Sequence, residues 1–154
     1  MREAIGGTWI FGMVIVFIVL FTSYLALSVN YSKAFKVKNK IITLIEENEG
    51  LTDKAQEDIV SYLNNVGYFV YGPCGRDSEL QEIGYSKNYG CEANNAVVNT
   101  KYKYCVATRT SNTDTLDRKY YKVTVFFKFD IPILDSIFTF PVTGETKAVY
   151  FAKD

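Results

Sequence analysis

The sequence contains no histidine among its 154 residues. The side chain that most often acts as a general base near neutral pH, and that most often binds metal ions, is therefore missing. This absence excludes the usual hydrolase triads and the usual zinc sites. Glycine-rich phosphate loops and nucleophile elbows do not occur either. We therefore predict a protein that is not an enzyme and that uses no metal or cofactor.

An excess of charge of one sign is also missing, because seventeen Lys and Arg residues balance seventeen Asp and Glu residues. No global charge attracts the chain to nucleic acid, so no nucleic-acid partner is expected. Seven basic residues of the predicted strands are assigned to solvated sheet surface: Lys101, Lys103, Arg109, Arg118, Lys119, Lys122 and Lys128.

Charge is absent altogether from Trp9 to Val29, a run of 21 residues. As a helix this run is about 30 Å long, which is the thickness of a hydrocarbon core. Trp9 and Tyr31 lie at its two ends, where amphipathic rings prefer the interface. The alternative is a cleaved signal peptide, whose apolar core would be shorter. We predict a short N-terminal segment at 1–8 and a retained transmembrane helix at 9–29, in contact with membrane lipid.

Helix-breaking residues are missing over a longer range, because neither Gly nor Pro occurs between Gly12 and Gly50. From Tyr31 onward the apolar residues recur with a helical period on one half of the wheel. They are Tyr31, Ala34, Phe35, Val37, Ile41, Ile42, Leu44 and Ile45. We predict one continuous helix that leaves the bilayer and runs on as an amphipathic segment at 30–49. A hinge near Asn30, with two separate helices, is the alternative.

The charges around the membrane segment conflict with the other indications of its orientation. Lys33, Lys36, Lys38 and Lys40 follow the segment, whereas Arg2 alone precedes it. By the positive-inside rule, the carboxyl-terminal side would stay in the cytoplasm. The cysteines and the family resemblance described below favour the opposite side, and we expect the domain at 50–154 to be extracytoplasmic.

The second half of the chain changes from a helical to a strand period. A short helix is expected from Thr52 to its stop at Gly67. Period-two alternation then predicts strands at 68–72, 101–110, 120–131 and 138–151. Because Pro141 lacks an N–H donor, the last strand should lie at an edge or contain a bulge.

Together these elements predict an α+β fold, in which the long N-terminal helix packs on an antiparallel sheet. The apolar half of the helix is expected to cover the apolar face of the sheet. The residues assigned to this helix-on-sheet packing are Phe35, Ile41, Ile42, Ile45, Val123, Val125, Phe127 and Phe129.

Only three cysteines occur, Cys74, Cys91 and Cys105. An odd number allows at most one intramolecular disulfide, and the spacing matches no metal motif. We favour Cys74–Cys105, which would link the end of one predicted strand to another. Cys91 with either partner, or three reduced thiols, remain alternatives. A disulfide would indicate an oxidising compartment.

The region 72–100 shows no sustained period and is predicted to be a long loop, rich in Gly, Asn, Ser and Tyr. Long loops of this kind are usually functional or mobile. The loop supports an alternative function, in which the chain is a single-pass membrane binding or sensor protein that recognises its ligand with 72–100.

Three features together resemble type IV filament proteins, and more narrowly the TadE-like minor pilins and pseudopilins. They are the membrane helix near the N-terminus, its extension "NYSKAFKVKNKIITLIEEN" and the strands of "YYKVTVFFKFDIPILDSIFTFPVTGETKAVY". The resemblance implies a non-enzymatic structural or accessory subunit of a type IV or Tad-like pilus or a secretion pseudopilus. Its implied partners are other pilin-like subunits and assembly-platform proteins. The resemblance also implies a domain outside the cytoplasm and incorporation in a surface filament. Small residues expected at helix–helix contacts are Gly12, Thr22, Ser23 and Ser28.

The N-terminus departs from the prepilin pattern, which has a Gly before the cleavage point and a Glu five residues after it. Gly6 and Gly7 precede the apolar segment, but the fifth residue after them is Phe11 or Gly12. The nearest acid, Glu3, lies ahead of both glycines. Without processing, the resemblance implies an accessory subunit that stays in the membrane.

Overall fold

A computed structural model describes residues 2–75, 87–94, 101–112, 116–131 and 134–152. The elements are α1 (Arg2–Glu47), α2 (Asp53–Val66), β1 (Lys87–Asn94), β2 (Lys101–Asn112), β3 (Leu116–Ile131), β4 (Leu134–Glu145) and β5 (Val149–Ala152). The strands β1 to β4 lie side by side in chain order, every neighbour is antiparallel, and β5 pairs with the first part of β3. The predicted α+β class, with a long helix and an antiparallel sheet, is confirmed.

The first helix is continuous through the junction between its apolar and amphipathic parts. It has no break at Asn30 and ends at Glu47, two residues before the predicted end of the amphipathic segment at 49. Glu49 has a left-handed φ of 52°, and the N–H of Gly50 donates to the carbonyl of Ile45 at 2.8 Å. This bond satisfies the carbonyl of Ile45, which the end of the helix would otherwise leave without an intrahelical donor.

The second helix has the two caps that the sequence predicts. The hydroxyl of Thr52 accepts a hydrogen bond from the N–H of Ala55 at 3.2 Å. At the other end Gly67 has a left-handed φ of 65°, and the N–H of Tyr68 donates to the carbonyl of Leu63 at 2.9 Å. Glycine adopts this conformation without steric cost, so the helix ends where the pattern places its stop.

One stripe of α1 forms the core together with α2 and one face of the sheet. The buried apolar members are Ala34, Val37, Ile41, Leu44, Ile45, Ile59, Leu63, Tyr68, Tyr104, Val106, Tyr121, Val123, Val125 and Val142. The buried residues are three or four positions apart along α1 and two positions apart along the strands. Each element therefore buries one face. Burying an aliphatic side chain of this size contributes about 1.5–3 kcal/mol.

The carboxyl-terminal strand prediction at 138–151 is wrong in its continuity. The structure has β4 up to Glu145 and β5 from Val149, with an interruption at 146–148. Thr146 turns inward there: its N–H donates to the carbonyl of Tyr121 at 2.9 Å, and its hydroxyl accepts from the N–H of Tyr121 at 3.0 Å. Its side chain and main chain therefore keep Tyr121 bonded while the strand shifts register.

Two predictions before β2 are also wrong. Residues 68–72 form no strand, and only Gly72 bridges to Tyr102, through bonds of 3.0 and 2.8 Å. Within the predicted loop at 72–100 the structure has a strand, because β1 at Lys87–Asn94 pairs with β2. The rest of that prediction at 76–86 and 95–100 lies outside the described residues. A Cβ at Gly72 would come within 2.2 Å of the Phe126 ring, so only glycine allows this close crossing of the sheet.

The Tyr68 hydroxyl replaces a strand partner at the point where β2 and β3 separate. Regular pairing of these strands ends at Tyr104↔Val125, one residue before Phe126. The N–H of Phe126 donates to the Tyr68 oxygen at 2.9 Å, and the Tyr68 hydroxyl donates to the carbonyl of Phe126. A buried N–H and C=O without partners would each cost free energy, so this one side chain satisfies both.

Removing the Tyr68 hydroxyl should therefore destabilise the domain. Tyr68→Phe leaves two buried backbone groups of Phe126 without partners, and we expect the free energy of unfolding to fall by about 1–3 kcal/mol. Denaturant unfolding in detergent micelles measures the change. Tyr150→Phe is the matched control, because the exposed Tyr150 side chain should change stability by less than about 0.5 kcal/mol. Equal stability of both variants would contradict this role for Tyr68.

The same hydroxyl should make stability depend on alkaline pH. Burial raises the pKa of Tyr68 from 10.0 to about 12, although its bond to Phe126 acts in the opposite direction. The pKa of Tyr68 is higher in the folded than in the unfolded state. Its contribution to the free energy of unfolding is therefore complete below the unfolded pKa of about 10, and it is lost as pH rises through the folded pKa. The difference in tyrosinate absorbance between the native chain and Tyr68→Phe should titrate near this raised pKa; a difference centred on the unfolded pKa would contradict burial.

Candidate functional site

The apolar part of α1 has no protein covering over most of its surface. Between Gly7 and Glu47 it is the one helix, within the described chain, that is long and apolar enough to cross a membrane. Trp9 and Phe17 are each 69% exposed. Such an apolar surface in contact with water would be unfavourable, and its length fits a bilayer.

The small and polar residues of this segment are accommodated within the helix. The Thr22 hydroxyl lies 2.9 Å from the carbonyl of Ile18 and 3.0 Å from that of Val19, and the Ser23 hydroxyl donates to Val19 at 2.8 Å. Their polar groups are thereby satisfied without water, as a hydrocarbon environment requires. Gly12 has no side chain and lies in open space, since a Cβ there would meet nothing within 4 Å; the helix surface therefore has a notch at this position.

Of the four residues predicted for helix–helix contacts, three are exposed and one is half-buried. Gly12, Thr22 and Ser28 have open surfaces, whereas Ser23 is partly covered. A rotation of about 100° per residue places Thr22 and Ser28 on opposite flanks of the stripe that faces the sheet. Among the described residues no second helix lies beside the span, so these contacts stay a prediction.

The helix is attached to the sheet at both ends of its amphipathic part. At the membrane end, the Asn30 amide donates to the carbonyl of Lys128 at 3.3 Å. At the far end, a carboxylate oxygen of Glu46 accepts from the N–H of Lys147 at 2.7 Å. Between them Gly144 provides room, since a Cβ there would come within 2.8 Å of Ile42 and Lys38. The orientation of the sheet along the helix is therefore defined by contacts at both ends.

Most residues assigned to helix-on-sheet packing lie at this interface. Ile41, Ile45, Val123 and Val125 are fully buried, and Ile42 and Phe127 pack against them while partly exposed. The side chain of Phe129 lies outside the described side chains, so its assignment stays a prediction.

Phe35 differs from its assignment, because its side chain is 42% exposed. It lies beside the stripe and stacks on Tyr31, with ring centroids 6.4 Å apart. Lys38 takes the inward position instead: it is 8% exposed and its amino group lies 4.1 Å from the Phe35 ring centroid. A long alkyl stem lets lysine pack against Gly144 while its charge rests over an aromatic face.

An aromatic cluster surrounds the point where α1 meets the sheet. The ring of Tyr31 contacts that of Phe127 edge-on, with centroids 5.7 Å apart. Phe127 in turn stacks on Phe140 across the β3–β4 pair at 5.3 Å. Tyr31 is 48% and Phe140 is 44% exposed, so the cluster presents aromatic surface outward from the junction.

The favoured disulfide, Cys74–Cys105, is confirmed, with Cα atoms 5.7 Å apart. Cys91 takes no part in this bond and is half-buried on β1. Because Cys105 points away from α1, the bond holds the segment after Gly72 against the opposite face of β2. Five consecutive residues, Lys103 to Ala107, are buried, and of these Tyr104 and Val106 belong to the core with α1.

Sequence reasoning missed several polar contacts that position the sheet. Lys103, assigned to solvated surface, is 5% exposed and donates to the side chain of Asn64 at 3.1 Å. Nothing in the local pattern marks Tyr68 or Thr146 as bonding partners of distant backbone, because each acts across the fold. Within the described part of the chain, no group of three or more His, Cys, Asp or Glu side chains is placed to hold a metal ion.

Comparison of the chain with protein-family models, with curated proteins and with solved structures finds no match. The helix, its junction with the sheet and the disulfide are therefore the features of the molecule that bear on its function.

The disulfide should resist substitution of the third cysteine. We expect Cys91→Ser to keep the Cys74–Cys105 bond and the stability of the native chain, and Cys74→Ser to lose both. The closed loop joins residues 31 apart, so its loss should lower the free energy of unfolding by about 3–4 kcal/mol. Peptide mapping without reductant and denaturant unfolding give the two readouts. A Cys91 cross-link in the native chain would contradict the pairing.

Proposed function

We propose that the protein is a single-pass membrane protein and a structural or accessory subunit of a type IV or Tad-like pilus or secretion pseudopilus. The observation that carries this proposal is the unbroken 46-residue helix α1. One half of it is apolar on every side, and the other half docks on an antiparallel sheet. Such a helix projects a rigid domain from a membrane or from a bundle of like helices.

The distribution of small residues supports assembly through the apolar half. Lipid surrounds a membrane helix with apolar neighbours, so association there depends on close packing and not on the hydrophobic effect. The notch at Gly12 and the exposed flanks at Thr22 and Ser28 permit close approach of further helices. The domain would then lie outside the bundle, with its helix-covered face directed toward the filament axis.

The disulfide supports an extracytoplasmic domain, because such bonds persist in oxidising compartments. The lysines after the span favour the opposite orientation. We expect a reporter that is active only outside the cytoplasm to be active when fused after Asp154, and a cytoplasm-dependent reporter to be inactive there. The reverse pattern would overturn the pilin-like proposal and leave a membrane protein with a cytoplasmic domain.

Assembly is tested by oxidative cross-linking of single cysteines within the span. In a Cys91→Ser background, Thr22→Cys and Ser28→Cys should form covalent dimers in membranes. When both are combined in one chain they should form ladders, because they lie on opposite flanks of α1. Ser23→Cys is the matched control: its side chain faces the sheet and is half-buried, so its cross-linking should be several-fold weaker. Monomers at every position would contradict subunit packing, and equal cross-linking at all three would indicate random collision.

A further inference from the structure

The stripe of α1 that the sheet covers continues into the apolar segment. Val19, Ser23, Leu27 and Asn30 are half-buried, while the residues between them are exposed. Their spacings of four, four and three residues align them with Ala34, the first fully buried residue of the core. The protein therefore covers this face of α1 well below the junction at Val29.

The alignment of β3 with α1 explains this coverage. Phe127 of β3 contacts Tyr31 of α1. Four residues earlier on β3, Val123 pairs with Gly144, and Gly144 contacts Ile42 and Lys38 of α1. Four strand residues span about 13 Å, and the nine helical residues from Tyr31 to the middle of that contact also span about 13 Å. The strand therefore runs antiparallel to α1 and nearly along it.

The same alignment places the end of the sheet beside the apolar segment. Asn30 contacts Lys128, and β3 continues three residues further to Ile131, which pairs with Leu134 of β4. Three strand residues are about 10 Å, or about seven helical residues, so this end lies level with Ser23. That level is about 9 Å below Val29 along the helix.

We propose that this membrane-proximal end of the sheet, formed by 127–131 of β3 and 134–140 of β4, sits in the headgroup region of the bilayer beside α1. The hydrocarbon core then ends near Ser23 and is spanned by the uncharged residues 4–23, about 30 Å of helix, and not by 9–29. The inference depends on the part of the proposed function in which α1 spans a membrane, and it is independent of filament assembly. The bilayer surface is then a second partner of the domain, contacted by strand and helix together.

The composition of this end fits the headgroup region. Tyr31, Phe35 and Phe140 present aromatic surface, and Lys33 and Lys36 are exposed beside them. Aromatic rings and lysines that extend to phosphate are typical of membrane interfaces.

The depth is limited to the headgroups by polar groups that hydrocarbon would not accept. The outer edge of β4 has no strand partner within the described sheet, and its N–H and C=O groups need water or headgroup oxygens. The contact therefore fixes the height and tilt of the domain at the membrane surface.

Tryptophan fluorescence in liposomes measures this depth. In a Trp9→Phe background, Phe140→Trp places the only indole at the proposed contact. Tyr150→Trp is the matched control: Tyr150 is also an exposed strand aromatic, at 58%, and it pairs with Arg118 near the opposite end of β3. Both chains should retain the Cys74–Cys105 bond, which peptide mapping verifies.

We expect lipids that carry a nitroxide quencher on the headgroup to quench most of the Phe140→Trp emission and to leave Tyr150→Trp emission unchanged. The Phe140→Trp emission should also shift to shorter wavelength. Equal quenching of the two variants would overturn the inference. Protection of Phe140→Trp from aqueous acrylamide without quenching by the headgroup-labelled lipid would also overturn it, and would indicate a protein contact. Cross-links at Thr22 and Ser28 without lipid quenching would support the filament proposal and overturn only the headgroup contact.

Discussion

The packing of one helical stripe on β3 and β4 is the constraint on which the rest of the structure depends. From Ala34 to Ile45, buried side chains recur every three or four residues and meet the alternating residues of the sheet. Because the helix has no break, this contact couples the whole domain to the membrane segment. The domain is consequently a rigid extension of the helix, and its height and orientation follow from helical geometry.

The opposite face of the sheet is closed by a different set of interactions. The segment from Tyr68 to Cys74 crosses the place where β2 and β3 separate. Tyr68 bonds to the backbone N–H and C=O of Phe126, Gly72 allows contact with the Phe126 ring, and the disulfide joins Cys74 to β2. Both faces of β2 are therefore buried at this point, although an antiparallel sheet often leaves one face to water. A small domain gains core volume by this arrangement.

The parts of the fold that were predicted correctly have strong local signals. The continuity of α1 follows from 37 residues without Gly or Pro, and the ends of α2 follow from Thr52 and Gly67. The incorrect predictions concern segments whose local signals are weak or misleading. The strand β1 lies in a segment rich in Asn and Tyr without clear alternation, and it is stabilised by pairing with β2. Residues 68–72 alternate like a strand, but they contribute only the Tyr68 hydroxyl and the Gly72 bridge to the sheet. Phe35 has the helical period of the core residues, but it lies just beside the buried stripe.

By itself the sequence determined the helix, its change from an apolar to an amphipathic pattern near Val29 and the class of the fold, because these depend on period and composition over many residues. Tertiary structure alone decided the disulfide partner among three cysteines, the inward position of Lys38, the bonding of Tyr68 to Phe126 and the level of the β3–β4 end beside Ser23. Each of these joins residues far apart in the chain. Their physical basis is a distance across the fold, which no local pattern encodes.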